Sequence, residues 1–268
     1  MAPRSNTSRA IALSLAASVL VIFLALPFLA VVISLSPIVF IHQIGSDFAL
    51  KAFVLTLQTT LVATALSVIT GLPLAFLLAR RRFRGRELLD TLIDLPITVP
   101  PVVCGVALLL AFGRRGLIGR GFDAMGVSIP FTTIAVVMAQ VFIASPFFVK
   151  AARAGFEAVP QHLESAARTL GASPWHTFWT VTLPLARPSL LAGAVLCWAR
   201  ALSEFGATMM FAGSFPGRTQ TLALAVMSAM ESDLDTALSI SALALLLGLL
   251  ALVLAKGWAR RSITSSSA

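Results

Sequence analysis

The sequence predicts an all-α membrane protein with about six spans and a two-helix loop on one side of the bilayer. Three observations predict it. Hydrophobic residues make up 58% of the 268-residue chain and charged residues 12%, about half the charge of an average soluble domain. Several apolar runs exceed the roughly 18 residues of a transmembrane candidate. Between the fourth and fifth of these runs, Val159 to Pro184 carries the pattern of two short amphipathic helices joined by a tight turn.

Residues 1–50 make one unit: a polar start with Arg4 and Arg9, a first span from Ile11 to about Ile33, and a loop from Ser34 to Ala52 with His42, Asp47 and Lys51. The apolar run is longer than the 7–15 residues of a signal-peptide core, so it reads as a retained span. Residues 51–258 form the membrane domain. Span two is Phe53–Ala79, followed by the densest charge in the chain, R-R-R-F-R-G-R-E from Arg80 to Glu87. Span three runs from about Leu88 to Phe112 with Asp90, Asp94, Pro96, Pro100 and Pro101, and leads to a loop rich in glycine and arginine. Span four covers about Phe131 to Val149, span five about Pro188 to Gly213, and span six about Asp235 to Ala255. Residues 259–268 are a short tail.

In the two-helix stretch, which with its flanks covers residues 157–184, Leu163, Ala166, Ala167 and Leu170 fall at i, i+3, i+4 and i+7 on one helix face. Gln161, Glu164, Ser165, Arg168 and Thr169 take the other face, with Glu164 and Arg168 spaced to pair. Pro160 suits the first turn and Gly171 the left-handed position past the end. Ser173-Pro174 reads as N-cap and N1 of a second helix with Trp175, Phe178, Trp179 and Thr182 on its face, closed by Leu183-Pro184. Leu163 and Leu170 need a surface to pack against, which points to another protein.

The net charge of +9 would suggest nucleic acid in a soluble chain. Here it encodes topology. With the N-terminus inside, fourteen of the twenty cations fall on inner segments and five (Lys51, Arg114, Arg115, Arg120, Arg218) on outer loops, in keeping with the positive-inside rule. Both termini and the two-helix stretch are then cytoplasmic. That stretch is poor in cations and closely bracketed by spans, which excludes a nucleic-acid partner. No G-x-x-x-x-G-K-[ST] loop, H-E-x-x-H or paired-cysteine pattern occurs, so the chain is expected to bind no cofactor or metal and to have no catalytic residues. Cys104 and Cys197 lie within apolar segments and read as small buried hydrophobes.

The two-helix stretch resembles the cytoplasmic "EAA" loop of binding-protein-dependent ABC importer permeases: E-A-A, three residues, G, nine residues, I, one residue, L-P. Ala166, Ala167, Gly171, Leu183 and Pro184 match in register, and Val181 replaces the isoleucine. Ser165 stands where the family has glutamate, with Glu164 one residue earlier. In that family the first short helix enters a groove on a separate ATPase. The resemblance thus implies that Leu163, Glu164, Ser165, Ala166, Ala167, Leu170, Gly171, Leu183 and Pro184 form an ATPase-coupling surface.

Two further stretches resemble the molybdate, tungstate and sulfate branch of these permeases, and so extend the likeness over about residues 50–258. They are L-P-I-T-V-P-P-V-V-C-G-V-A-L-L-L-A-F-G-R-R-G from Leu95 and A-R-A-L-S-E-F-G-A-T-M-M-F-A-G-S-F-P-G-R-T-Q-T-L from Ala199. The second is similar to the molybdate type, whose G-E-F-G-A-T reads S-E-F-G-A-T here, with Ser203 first. Charges at mid-bilayer normally face a partner or a water-filled path. Arg200 and Glu204, at i, i+4, read either as a structural ion pair joined by Asp94, or as part of an anion path shared with Ser203 and Thr208. Pro100 and its neighbours break helix bonding, which places span three beside such a path.

The resemblance implies the membrane subunit of an ATP-driven molybdate importer: a homodimer in the lipid bilayer with two ATPase subunits, which hold ATP and Mg, and an extracytoplasmic oxyanion-binding protein. Alternating access would be driven through the coupling loop. A sulfate or tungstate permease is the near alternative. An ion-driven secondary transporter, which usually shows inverted repeats with broken helices in both halves, and a scaffold without transport activity are more distant ones.

Overall fold

The computed structural model describes residues 5–264. The described residues form helices joined by short connections, without strands. The first three helices are α1 (Ser5–Ile33), α2 (Pro37–Ile44) and α3 (Asp47–Arg80). Next come α4 (Arg86–Thr98), α5 (Pro101–Phe112), α6 (Gly119–Ala124) and α7 (Thr133–Ala158). Then follow α8 (Gln161–Thr169), α9 (Pro174–Thr177), a π turn at Phe178–Thr182 and α10 (Leu183–Leu202). The last helices among the described residues are α11 (Gly206–Ala212), α12 (Leu222–Met230) and α13 (Leu234–Thr264).

Helix α7 is central and packs against α3, α10, α11 and α4. Its buried Ala135, Ala139, Ala144 and Ala152 let neighbours approach closely, as suits helices whose tails of lipid give no hydrophobic drive to associate. Phe148 and Phe156 anchor one apolar cluster at its C-terminal end, with Ala75, Leu78, Leu190 and Cys197. Val136, Ala139 and Ile143 anchor another toward its N-terminal end, with Cys104, Ala207 and Phe211. Both cysteines are buried and free.

Hydroxyls tie the bundle internally. Thr56, Thr59 and Thr60 each donate to a carbonyl one turn back in α3, leaving their oxygens free to accept. Thr59 accepts from Gln140 Nε2 at 3.2 Å, Thr60 from Trp198 Nε1 at 3.1 Å and Thr56 from Leu222 N–H at 2.8 Å. Three neighbouring threonines therefore fix α7, α10 and the start of α12.

Among the described residues, five helices are long and apolar enough to cross a membrane, and α4 with α5 make a sixth candidate if read as one broken span. Several expected boundaries move. Ser34–Ala52 is not a loop: Pro37 starts α2, and Ser46 Oγ caps α3 by accepting from Ala49 N–H at 3.2 Å. Span three is not continuous. Val99 precedes a proline and is extended, Pro100 and Pro101 lack N–H groups, and α4 and α5 meet at 118°. Pro146 lies well inside α7, which runs on to Ala158. Span five stops at Leu202 and resumes as α11. Leu183-Pro184 does not close the second short helix. Leu183 N–H bonds Phe178 O, five residues back, and this π turn carries the chain past Pro184 into α10. The last span continues to Thr264, into the expected tail.

Candidate coupling surface and pathway

Helix α8 ends in a Schellman cap: Ala172 N–H donates to Ala167 O at 3.1 Å and Gly171 N–H to Arg168 O at 2.9 Å. This geometry needs Gly171 at φ +90°. Ser173 Oγ then caps α9 by accepting from His176 N–H at 3.2 Å. The turn is thereby fixed at both ends. A shallow groove of about 660 Å³ runs along Ala167, Leu170, Gly171, Ser173, His176 and Thr180.

The burial of α8 is inverted. Its apolar face is exposed: Leu163, Ala166 and, at 88%, Leu170. Ser165 is exposed beside them, and Ala167 is half-buried. Its buried residue is Glu164, at 5% exposure. Glu164 Oε1 accepts from Arg80 Nη2 at 2.7 Å and from Thr182 Oγ1 at 2.9 Å. The expected partner, Arg168, stands 3.7 Å from Oε2. Glu164 therefore points into the membrane domain rather than out from the polar face, because Arg80 offers a charge-assisted bond in a site closed to water. Leu183 is half-buried and Pro184 exposed, behind the π turn. Trp175 and Trp179 stay exposed, with Trp175 stacked on Phe178 and Trp179 meeting it edge-on.

Asp94 does not join Arg200 and Glu204. It lies 2.8 Å from Lys150, in a ladder with Asp90–Arg153 at 2.6 Å and Arg86–Glu157 at 3.7 Å. Residues 86, 90 and 94 of α4 face 157, 153 and 150 of α7, so the ladder straps the two helices together antiparallel. Periodic opposite charges on the two segments are the signal that would have found it.

The breaks after α4 and α10 meet. A Cβ on Gly105 of α5 would lie 2.7 Å from Ala207 O, so the backbones of α5 and α11 approach this closely only because residue 105 is glycine. Glu204 is buried at this junction, 3.0 Å from Arg200 Nη2, and its Oε1 caps α11 by accepting from Ala207 N–H at 2.8 Å. Pro100 and Ser203 are exposed at the two breaks, and Arg200 is partly so. Thr208 is fully buried, with its hydroxyl unpartnered, so it does not line a path along the surface of the protomer. Both halves carry a broken helix, as the ion-driven alternative also predicts. Among the described residues no three His, Cys, Asp or Glu side chains converge as a metal site.

A bundle of long apolar helices, a charge-anchored amphipathic loop and interrupted helices define a multi-span permease. Residues 71–264 match the family described as "Binding-protein-dependent transport system inner membrane component", and the chain belongs to that family. This decides against the ion-driven alternative. The chain is 43% identical over 223 residues to the "Molybdenum transport system permease protein ModB" of Mycobacterium tuberculosis, covering 83% of this chain and 84% of that protein. It is 41% identical over 214 residues to the "Sulfate transport system permease protein CysW" of Synechococcus elongatus, covering 80% and 74%. Its fold is shared, at a TM-score of 0.73 and 14% identity over 96% of this chain and 94% of that one, with a chain of the bacterial alginate ABC transporter solved in complex with alginate pentasaccharide-bound periplasmic protein.

Proposed function

We propose that this chain is the membrane subunit of an ATP-driven molybdate importer. The observation that carries the reading is the 43% identity to a molybdenum-system permease across 83% of the chain, together with E-F-G-A-T at Glu204–Thr208. Two copies enclose the path in the bilayer, with Pro100, Arg200 and Ser203 beside it. The α8 end faces the cytoplasm, and the opposite end meets an oxyanion-binding protein. A periplasmic-protein complex of a shared fold supports that partner.

In this reading the exposed apolar face of α8 enters a groove on a separate ATPase subunit, which holds ATP and Mg. Leu163, Ala166 and Leu170 make the contact, and Ser165 and Ala167 flank it. Closure of the two ATPases displaces α8. Glu164 passes that displacement through Arg80 to α3 and through Thr182 to the π turn and α10, behind Leu183 and Pro184. Gly171 keeps the two short helices moving as one body. The chain supplies path and lever, and ATP hydrolysis belongs to the partner.

Uptake of labelled molybdate into cells lacking their own system tests this, with the chain expressed alongside its ATPase and binding protein. The expected result is uptake that needs the ATPase and resists excess sulfate. Uptake without the ATPase would overturn the importer reading. The 41% identity to a sulfate permease supports sulfate as second reading, and uptake abolished by sulfate would select it.

A further inference from the structure

The stretch between α3 and α4 carries more cations than the fold uses. Arg80 and Arg86, at its two ends, are taken up by Glu164 at 2.7 Å and Glu157 at 3.7 Å. Arg81, Arg82 and Arg84 between them are exposed. Among the described residues their guanidinium groups have no hydrogen bond or ion pair. One acid stands near them in sequence, Glu87 in the first turn of α4. Topology does not account for the excess. Without these three, cations on inner segments would still outnumber those on outer loops by eleven to five. The backbone is a built turn. Arg81 N–H donates to Leu77 O at 2.9 Å and Arg86 N–H to Phe83 O at 3.3 Å. Gly85 reverses the chain at φ +89° with no heavy atom within 4 Å of where a Cβ would stand.

The turn sits where an apolar surface ends. Along α3, Val62, Leu66, Ile69, Pro73 and Leu77 are exposed at helical spacing. Arg81 follows Leu77 by four residues, so this stripe runs straight into the free guanidinium groups. In a bilayer the headgroup layer begins where such a stripe stops. Phe83 stands exposed among the arginines and can lay its ring against the boundary between headgroups and acyl chains. The turn is also bonded to the lever. Its first neighbour, Arg80, holds Val159 O at 3.0 Å and Glu164 Oε1 at 2.7 Å. Whatever fixes Arg81 therefore fixes the group on which α8 hangs.

We propose that Arg81, Arg82 and Arg84 bind the phosphate groups of anionic phospholipid in the cytoplasmic leaflet, and that this anchoring steadies the end of α3 so that motion of α8 is passed on rather than lost. The inference rests on the importer reading above. Charge and surface choose the occupant. Guanidinium groups bind phosphate through parallel N–H donors, and a basic segment just past the cytoplasmic end of a span attracts anionic lipid. A lipid brings both halves of the match, its phosphate to the arginines and its acyl chain to Leu77 and Phe83. An acidic patch on the ATPase would bring the charge alone.

The test reconstitutes the complete permease–ATPase complex, with its binding protein, into vesicles of phosphatidylcholine alone or mixed with phosphatidylglycerol. Two quantities are read: phosphatidylglycerol retained by the purified complex, by native mass spectrometry, and molybdate transported per ATP hydrolysed. The natural complex is expected to retain phosphatidylglycerol and to transport severalfold more molybdate per ATP in the mixed vesicles. Each of Arg81→Gln, Arg82→Gln and Arg84→Gln should weaken retention about fivefold. The triple glutamine variant should show, in mixed vesicles, the ratio that the natural complex shows in neutral ones. The triple lysine variant, which keeps the charge, should keep most of both. If the triple glutamine variant does not assemble, the single variants carry the comparison. Equal retention by natural and glutamine complexes overturns the site. Retention lost with an unchanged transport ratio overturns the link to α8. Loss of the ATPase subunit with lipid still retained assigns the turn to the ATPase, and a ratio restored in neutral vesicles by inorganic phosphate assigns it to the free anion; either overturns the lipid reading. A natural complex that takes up no molybdate yet retains lipid through these arginines contradicts the importer reading alone.

Discussion

Arg80 Nη2 lies 2.7 Å from Glu164 Oε1 and 3.0 Å from Val159 O, so the last residue of α3 holds both the end of α7 and the first turn of α8. The side chains keep 10% and 6% exposure. Removing one member leaves the other charged and buried. Glu164→Ala is therefore expected to destabilise by about 3–5 kcal/mol, read as thermal unfolding in detergent, and to raise ATP hydrolysed per ion transported. Arg80→Met with Glu164→Met should recover much of the stability but not the coupling. Full coupling in the double variant would show that the pair only stabilises the fold.

Gly171 has no heavy atom within 4 Å of where a Cβ would stand, so only its φ of +90° opposes a side chain. Gly171→Ala should cost about 1–2 kcal/mol, the penalty for a left-handed L-residue, and partly uncouple hydrolysis from uptake. Normal coupling with unchanged unfolding temperature would contradict the rigid-turn account.

Much of this fold is legible in the sequence because it is local. Apolar runs mark the long spans, Ser173-Pro174 marks a helix start and Gly171 a helix end. What is not legible depends on distant partners. Periodicity puts Glu164 with Arg168 on one α8 face, yet its strongest partner is 84 residues away. Pro100 and Pro101 announce one break. Ser203 announces nothing, and the second break follows from Glu204 capping α11 and Gly105 accepting Ala207. The π turn at Phe178–Thr182 is likewise silent, since Pro184 reads equally as a stop.

The α4–α7 ladder is partly solvated, with 53% and 40% exposure at Lys150 and Asp94, so each rung is worth about 0–1 kcal/mol. Asp94→Lys should loosen α4 through repulsion from Lys150 and lower assembly. Asp94→Lys combined with Lys150→Asp should restore it. Recovery of folded, monodisperse protein in detergent, followed by gel filtration, is the check. Failure of the swap would mean that Asp94 acts elsewhere.

Thr208 and Ser203 should behave oppositely. Thr208→Val removes a buried, unpartnered hydroxyl at nearly constant volume and should be neutral or stabilising by about 1 kcal/mol, with uptake kept. Ser203→Ala, at the exposed break, should keep assembly and slow molybdate uptake. Equal losses of uptake in both would return Thr208 to the path.

Site-directed cross-linking tests the central claim most directly, with Cys104 and Cys197 replaced by alanine and single cysteines placed in α8 of the assembled complex. Ala166→Cys and Leu170→Cys should cross-link to the ATPase subunit in good yield, and Glu164→Cys should not. Cross-linking from position 164 with none from 166 or 170 would contradict an α8 that turns its charge inward and its apolar face to the partner.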